Sequence, residues 1–154
     1  MARTALILGR GKSGEAAAAE LRKAGYSVAF AENVDLVVAS PGVPVKSELQ
    51  LGVERLKARG VKLLAVTGSK GKSSVVKLVA EALGLAGRKA VACGNYGLPV
   101  CAVGDCDWAV VEVSSFQLET TALGPDAFEA AAILNLQDDH LDRHGSRAVY
   151  HALK

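Results

Sequence analysis

The chain has 154 residues, half of them hydrophobic, and 18 basic and 16 acidic side chains give it a formal net charge of +2. This length allows one ordinary domain or two small ones, and the apolar fraction is sufficient for a buried core. The weak charge balance does not indicate a nucleic-acid partner, and we expect none. Only 5% of the residues are aromatic, which favours helices packed on a sheet over a β-sandwich.

The sequence carries no pattern typical of export or membrane insertion. The first apolar run, residues 4–8, is too short for a signal-peptide core. No run approaches the ~18 apolar residues of a membrane span. The three cysteines, Cys93, Cys101 and Cys106, form no C-x-x-C pair. We therefore expect a cytoplasmic protein with reduced thiols.

The first half of the chain predicts a small α/β unit. Strands are predicted at residues 4–8, 26–30 and 34–38, with a helix at 14–24 that ends at Gly25. Three residues separate the last two runs, whereas parallel neighbours need a crossover of about a dozen residues. These two runs therefore form a hairpin, or one of them is not a strand.

The second half alternates strands and helices in the order typical of a parallel sheet. Ser47 is a predicted N-cap for a helix that Gly60 ends. Helices are predicted at 47–58, 75–85 and from about Ser146, and strands at 61–66, 90–93, 108–113 and 131–134. We place a boundary near residue 60, between an N-terminal unit 1–60 and a second unit 61–154.

The segment T-G-S-K-G-K-S-S at 67–74 lies between a predicted strand and a predicted helix. In this arrangement the backbone N–H groups of a glycine loop and of the helix N-terminus point at phosphate oxygens. The lysine of Gly-Lys-Ser adds a positive charge, and the serine hydroxyl can bind Mg²⁺. The common form has its first glycine where this chain has Val66. The alternative is a glycine turn with a surface lysine.

A second glycine loop, G-R-G-K-S-G at 9–14, follows the first predicted strand. It fits the G-x-G-x-x-G pattern of diphosphate sites. A dinucleotide site also needs an acid at the end of the second strand, and Glu32 lies two residues beyond that run. The alternative is a generic phosphate-facing turn.

Three further segments have a functional and a structural interpretation. Glu112, at the end of a predicted strand, is a Mg²⁺-organising acid or a surface glutamate. The cluster D-D-H-L-D-R at 138–143 suits cation or phosphate chemistry, with His140 as metal ligand or general base, or is a solvated loop. The segment G-N-Y-G at 94–97 is a turn when taken alone.

Together these segments resemble the ATP-dependent Mur ligases. The likeness rests on V-T-G-S-K-G-K-S-S at 66–74, G-N-Y-G-L-P at 94–99, V-V-E-V-S-S-F-Q-L-E-T at 110–120 and I-L-N-L-Q-D-D-H-L-D-R-H at 133–144, with A-S-P-G-V at 39–43. The phrase S-S-F-Q-L-E-T is characteristic of the members that add D-glutamate. The resemblance covers nearly the whole chain in order.

The resemblance implies an enzyme with ATP and Mg²⁺ as cofactors and with UDP-N-acetylmuramoyl-L-alanine and D-glutamate as substrates. ATP phosphorylates the terminal carboxylate, and the amine of D-glutamate then displaces phosphate to form an amide of a peptidoglycan precursor. Two anions must approach each other in this reaction, which needs cations between them.

The resemblance also implies roles for particular residues. Lys72 holds the β- and γ-phosphates, Ser74 caps the helix, and Lys154 matches a carbamylated lysine in Y-x-x-x-K. The catalytic residues are Lys72, His140 and Lys154. The nucleotide is bound by Thr67, Gly68, Ser69, Lys70, Gly71, Lys72, Ser73 and Ser74. The metal ligands are Ser73, Glu112, His140 and Lys154. The substrate-binding residues are Lys12, Ser13, Ser40, Pro41, Gly42, Asn95 and Ser114.

Three departures from the family shape the expected architecture. The chain is shorter than the three-domain family, so we expect an abbreviated Rossmann-like domain, an incomplete P-loop ATPase domain with a mainly parallel sheet, and no C-terminal ligase domain. Elements between the second strand and A-S-P-G are largely missing, and Lys70 stands where asparagine is common. We expect such a chain not to complete ligation and its exposed edges to favour self-association.

Two alternatives to the D-glutamate ligase stay open. One is a non-catalytic remnant that binds a nucleotide or a UDP-sugar. The other is a sister ligase of the folylpolyglutamate synthetase type, which shares the phosphate-binding loop but is expected to lack S-S-F-Q-L-E-T and A-S-P-G-V.

Overall fold

The computed structural model describes residues 3–33 and 44–154. The predicted strand at 34–38 and the candidate substrate residues Ser40, Pro41 and Gly42 lie outside the described residues. Across the described part of the chain, no helix has the length and apolar character needed to cross a membrane.

The N-terminal unit is a parallel strand pair with one helix. Strands β1 (Arg3–Leu8) and β2 (Tyr26–Ala31) pair in parallel, with Arg3 opposite Tyr26 and Leu8 opposite Ala31. Helix α1 (Lys12–Lys23) connects them, and Gly25 follows it with φ of +83°. A glycine adopts this left-handed conformation without steric cost, which explains why the helix ends there.

The second sheet is four-stranded and parallel, with the strand order β4-β5-β3-β6. Ser47 accepts a hydrogen bond from the Gln50 amide at 3.0 Å and so caps the helix that precedes this sheet, as predicted. The elements are α2 (Glu48–Ala58), β3 (Lys62–Thr67), α3 (Lys72–Leu85), β4 (Ala90–Gly94), a 3₁₀ turn (Val100–Ala102), β5 (Trp108–Glu112), α4 (Ser115–Glu119), β6 (Ala130–Ile133), α5 (Leu141–His144) and α6 (Arg147–Ala152).

Helices cover both faces of the four-stranded sheet. On one face, Leu49 and Val53 of α2 pack with Leu63 of β3 and Val111 of β5. On the other face, Val76 of α3 packs with Val66 and Val110. Strands β3 and β5 are therefore buried on both sides, as expected for central parallel strands. Strand β6 is exposed along its whole length.

The predicted α/β class with parallel sheets is confirmed, and so are the predicted helices and strands that fall within the described residues. The sequence interpretation missed the two short helices α4 and α5. The division near residue 60 stays a prediction. Helix α2 lies before it, but its buried side belongs to the core of the second sheet, and its Arg55 pairs with Glu20 of α1 at 2.6 Å.

Candidate functional site

The loop between β3 and α3 is shaped by two glycines with positive φ. Gly68 has φ of +141° and Gly71 has φ of +82°, in regions that other residues rarely adopt. Gly71 is the N-cap of α3 and supplies no side-chain cap. The expectation that Ser74 caps this helix is therefore wrong, because Ser74 already lies inside its first turn. The amides at the helix N-terminus are thus left to an external partner.

Asn135, which follows β6, holds the loop in place. Its carbonyl accepts from the Ser69 amide at 3.1 Å and its side-chain oxygen accepts from the Lys70 amide at 2.9 Å. The Lys72 ammonium donates to the carbonyls of Gly68 and Ser69 at 2.9 and 3.0 Å. The Lys72 side chain therefore lies folded over the loop, and its phosphate-binding role stays a prediction.

Glu112 ends β5 directly beside the loop and is only 2% exposed. One carboxylate oxygen accepts from the Ser73 hydroxyl at 2.6 Å, and the other accepts from the Asn95 side chain at 2.9 Å. The surface-glutamate alternative is therefore excluded. Burial without donors would be costly for a carboxylate, and these two donors compensate part of that cost.

The segment at 94–97 is a turn built around this glutamate. Gly94 has φ of +100°, and a Cβ atom there would collide with the carbonyl oxygen of Glu112. The Asn95 amide donates to that same carbonyl at 2.9 Å. The turn therefore places the Asn95 side chain against the Glu112 carboxylate.

The oxygen atoms of Ser73 and Glu112 could supply part of the ligand set of one magnesium ion. Both are hard oxygen donors, which Mg²⁺ prefers, and Mg²⁺ commonly takes its other ligands from phosphates and water. Within residues 3–33 and 44–154, no group of three or more His, Cys, Asp or Glu side chains is placed to hold a metal. A metal here would consequently depend on the ligands that a bound phosphate supplies.

An open cleft of about 280 Å³ lies at the carboxyl end of the sheet. It brings together six of the predicted site residues, and four others that were not among the candidates also line it. The predicted residues are Lys72, Asn95, Glu112, Ser114, His140 and Lys154; the others are Ser115, Phe116, Asp139 and Tyr150. The cleft lies where ligands bind in open parallel sheets.

Helix α4 and its N-cap residue Ser114 supply three of these cleft residues. The sequence contains a signal for this helix. Ser114 and Gln117 form a reciprocal capping box, with the Gln117 amide 3.3 Å from the Ser114 hydroxyl and the Ser114 amide 3.0 Å from the Gln117 side chain. The S-x-x-Q pattern is a known helix start. It would have predicted the start of α4.

His140 is the N-cap of α5 and has φ of +53°, which is uncommon for a residue other than glycine. The Phe116 ring packs against its imidazole with centroids 5.0 Å apart. Its Nε2 atom lies 3.8 Å from the Asp139 carboxylate. Burial alone would raise the pKa of Asp139, but the neighbouring His140 and Lys70 outweigh it and lower that pKa. The segment is therefore an organised part of the cleft wall.

Lys154 reaches the base of the same loop. Its ammonium donates to the Thr67 hydroxyl at 2.9 Å and to the Gly68 carbonyl at 3.3 Å. Burial, together with the positive charge of Lys72, lowers the pKa of Lys154 to about 8. A substantial fraction of this amine is consequently neutral at slightly alkaline pH.

The first glycine loop lies elsewhere. Lys12 and Ser13 begin α1 and are not among the described residues that line the cleft. Arg10 pairs with Glu15 at 3.0 Å and lies 3.9 Å from Glu32, and all three side chains are about half exposed. Among the described residues, the first glycine loop is therefore not part of the cleft lining.

Comparison with known families decides the ancestry of the chain. The family model described as "Mur ligase middle domain" matches residues 66–154, which includes the loop, Glu112 and the whole cleft. The chain belongs to the Mur ligase family. The assignment made from the sequence motifs is thereby confirmed.

Individual relatives agree with this assignment. A Mur ligase of Methylobacillus flagellatus, named UDP-N-acetylmuramoylalanine–D-glutamate ligase, is 40% identical over 142 residues, covering 81% of this chain and 31% of the relative. The enzyme of the same name from Acidobacterium capsulatum is 35% identical over 200 positions, covering 97% of this chain and 42% of the relative. Because 200 positions exceed the 154 residues of the chain, that relative carries internal segments that have no counterpart in this chain.

Solved structures share the fold. The crystal structure of the MurF ligase from Thermotoga maritima, determined in complex with ADP, superposes with a TM-score of 0.51 at 20% identity. The match covers 97% of this chain and 38% of the MurF chain. The chain thus spans between about a third and two-fifths of the length of the relatives it matches.

Proposed function

We propose that this chain forms the ATP- and Mg²⁺-binding part of a ligase that adds D-glutamate to UDP-N-acetylmuramoyl-L-alanine. The observation that carries the proposal is the buried Glu112 carboxylate, held by Ser73 and Asn95 at the mouth of a glycine loop that also carries Lys72. The D-glutamate ligases among the relatives support the substrates, and the ADP complex of MurF supports the nucleotide.

The nucleotide would lie with its phosphates over the loop. The Lys72 ammonium, now donating to two loop carbonyls, would turn to the β- and γ-phosphates, where it neutralises charge. The Gly71 N-cap leaves the first amides of α3 directed at the same place. Thr67, Ser69, Lys70 and Ser74 complete the loop that surrounds the phosphates.

The chemistry is the activation of a carboxylate. The carboxylate oxygen of UDP-N-acetylmuramoyl-L-alanine attacks the γ-phosphorus, the bond to the β-phosphate oxygen breaks, and ADP leaves. The amine of D-glutamate then attacks the carbonyl carbon of the acyl phosphate, phosphate leaves, the nitrogen loses a proton, and an amide remains. When bound by Ser73 and Glu112, Mg²⁺ would neutralise phosphate charge during the first step.

The opposite wall of the cleft is proposed to receive the acceptor substrate. Asn95, Ser114 and His140 line it and offer hydrogen-bonding groups to a sugar and a carboxylate. Lys12 and Ser13, together with Ser40, Pro41 and Gly42, are the proposed uridine diphosphate contacts. His140 and Lys154 are the proposed ligands of a second metal.

The lowered pKa of Lys154 supports its proposed modification. A carbamate forms when a neutral amine attacks CO₂ and releases a proton, and a pKa of about 8 makes that neutral amine available. The carbamate would change a cation beside Lys72 into an anion. Such a group is a suitable oxygen ligand for a metal.

The deciding experiment measures Mg·ATP affinity by calorimetry for the parent and for Lys72→Ala. Loss of a charge-assisted contact of about 2–3 kcal/mol is expected to weaken ATP binding by roughly 30- to 150-fold. Lys12→Ala is the matched control, because it removes the same charge from the other glycine loop and is expected to leave ATP affinity unchanged. Equal ATP affinity of the parent and Lys72→Ala would show that the loop assignment is wrong.

A further inference from the structure

His144 is a buried imidazole that the proposed function does not use. It is the last residue of α5, and its side chain has no exposed surface. Its Nε2 atom lies 3.0 Å from the Ser115 hydroxyl, in hydrogen-bonding geometry. Its Nδ1 atom lies 2.9 Å from the Glu119 carboxylate, a close ion-pair distance that is not aligned as a hydrogen bond. Both partners belong to α4.

Glu119 contacts two consecutive residues of α5. In addition to lying against His144, its carboxylate accepts hydrogen bonds from the Arg143 guanidinium at 3.2 and 2.9 Å. The Arg143 side chain is 56% exposed, so that this pair contributes little on its own. The fully buried His144 is shielded from water, and its polar contacts therefore matter more for how the two helices are held.

The Phe116 ring packs against both His140 and His144. Its centroid lies 5.0 Å from that of His140 and 5.6 Å from that of His144. A displacement of His144 relative to α4 would therefore move Phe116 and His140, which both line the cleft. Because α5 has only four residues, a shift of His144 at its end would also affect its left-handed N-cap residue His140.

The same histidine connects α4 to the phosphate-binding loop. The Tyr150 ring packs on His144 with centroids 5.5 Å apart. The Tyr150 hydroxyl lies 2.8 Å from that of Ser69 in the loop, and both residues are buried. His144 thus occupies the middle of a continuous path of contacts from the loop to the wall of the cleft.

We propose that His144 is a positioning residue of the cleft, which locks α5 to α4 and so fixes His140 and Phe116 at the cleft wall. The inference rests on the proposed function, because the role of the cleft is itself a proposal. Serine, histidine and glutamate in this order resemble a nucleophile with its base. The complete burial of the His144 ring favours positioning over such a role, because a substrate would have to reach the hydroxyl and the ring together.

The test uses nuclear magnetic resonance of the histidine rings, which is practicable because the chain has only three histidines. In the parent, the signals of the His144 ring are expected to report its hydrogen bond with the Ser115 hydroxyl. The His140 ring signals are expected to carry a ring-current shift from Phe116.

Three variants separate positioning from mere packing. His144→Phe keeps a ring and removes both polar contacts, and it is expected to change the ring-current shift of His140. His144→Gln can still reach Ser115 and is expected to restore much of the parent signal. His151→Phe is the matched control, since it removes the imidazole that packs on the other neighbour of the path, the Tyr150 ring, with centroids 5.8 Å apart. It should leave the His140 signals at their parent positions.

Stability and nucleotide binding are measured on the same proteins. If His144→Phe does not fold, Ser115→Ala serves instead, and a smaller change of the His140 signals in the same direction is expected. His140 signals that stay at their parent positions in the folded variant would overturn the proposal, and so would equal shifts in His144→Phe and His144→Gln. Failure of the parent to bind Mg·ATP would overturn the proposed function alone, because the His140 signals report on the contact between α5 and α4 without any ligand.

Discussion

The two glycine loops of this chain have the same local form and different surroundings. Each follows a parallel strand and opens a helix, at residues 9–14 after β1 and at 67–74 after β3. Among residues 3–33 and 44–154, strand β1 pairs only with β2, whereas β3 lies between β5 and β6. The carboxyl end of β3 therefore receives side chains from both sides, and that of β1 from only one side among the described residues.

This difference in neighbouring strands determines which side chains surround each loop. At the second loop, β5 contributes Glu112, and Asn135 follows the end of β6. At the first loop, the nearest charged contacts are exposed pairs of Arg10. A glycine loop by itself thus gives a turn that can approach an anion. The position of its strand in the sheet determines which acids and amides can assist.

We expect the largest difference in ATP affinity when the acidic residue beside each glycine loop is replaced. Glu112→Gln removes the charge that would bind Mg²⁺ beside Ser73 and is expected to weaken the Mg²⁺-dependent part of ATP affinity by about 10- to 100-fold. The measurement is ATP affinity by calorimetry with and without Mg²⁺. Glu15→Gln, at the first loop, is the control with the same change and should have no effect on ATP. Mg²⁺-dependent binding that survives in Glu112→Gln would disprove the metal role.

A second comparison tests the packing of the first loop. A Cβ atom on Gly14 would collide with the carbonyl oxygen of Gly9, whereas one on Gly11 would have no neighbour within 4 Å. Gly14→Ala is therefore expected to lower the free energy of unfolding by about 1–3 kcal/mol, and Gly11→Ala by less than about 0.5 kcal/mol. Urea unfolding followed by circular dichroism measures both. Equal unfolding midpoints would show that the loop does not need this close approach of helix and strand.

The sequence predicted the elements that depend on local pattern, and it predicted the second loop with Glu112, His140 and Lys154 through motif likeness. Within the described residues, the apolar runs predicted as strands proved to be strands, because such runs suit a buried position in a parallel sheet. Helices α4 and α5 have five and four residues, too few for a periodic pattern to indicate them.

Contacts between distant segments could not be predicted. The bond between Ser69 and Tyr150 joins residues 81 positions apart, and that between Ser115 and His144 joins residues 29 positions apart. Such pairs depend on how helices dock on the sheet, which the spacing of residues does not determine. The role of Ser74 as a cap failed for a related reason, since the left-handed Gly71 starts the helix three residues earlier.

A third comparison concerns the lysines at the loops, and its expected effect is smaller. At the second loop, burial and Lys72 lower the pKa of Lys154 to about 8, from an ordinary value of 10.5. Between these two pH values the unfolded chain holds a proton that the folded chain has lost. The stability of the parent is therefore expected to rise with pH across this window. Lys154→Met removes that contribution, so the midpoint of its urea unfolding should rise less with increasing pH than that of the parent. Parallel pH profiles of the two proteins would contradict the lowered pKa.

The smallest expected effect tests whether the first loop contacts a diphosphate at all. Lys12 lies in the first turn of α1, where a bound anion would also face the helix N-terminus. An exposed charge at such a position contributes about 0.3–1 kcal/mol, so Lys12→Ala is expected to weaken UDP binding by roughly two- to fivefold. Calorimetry with UDP measures this effect, and Lys23→Ala at the other end of α1 is the matched control. If Lys12→Ala and Lys23→Ala bind UDP equally well, the first loop is a turn that resembles a phosphate site without being one, and the sheet position of β3 alone separates a functional glycine loop from a structural one.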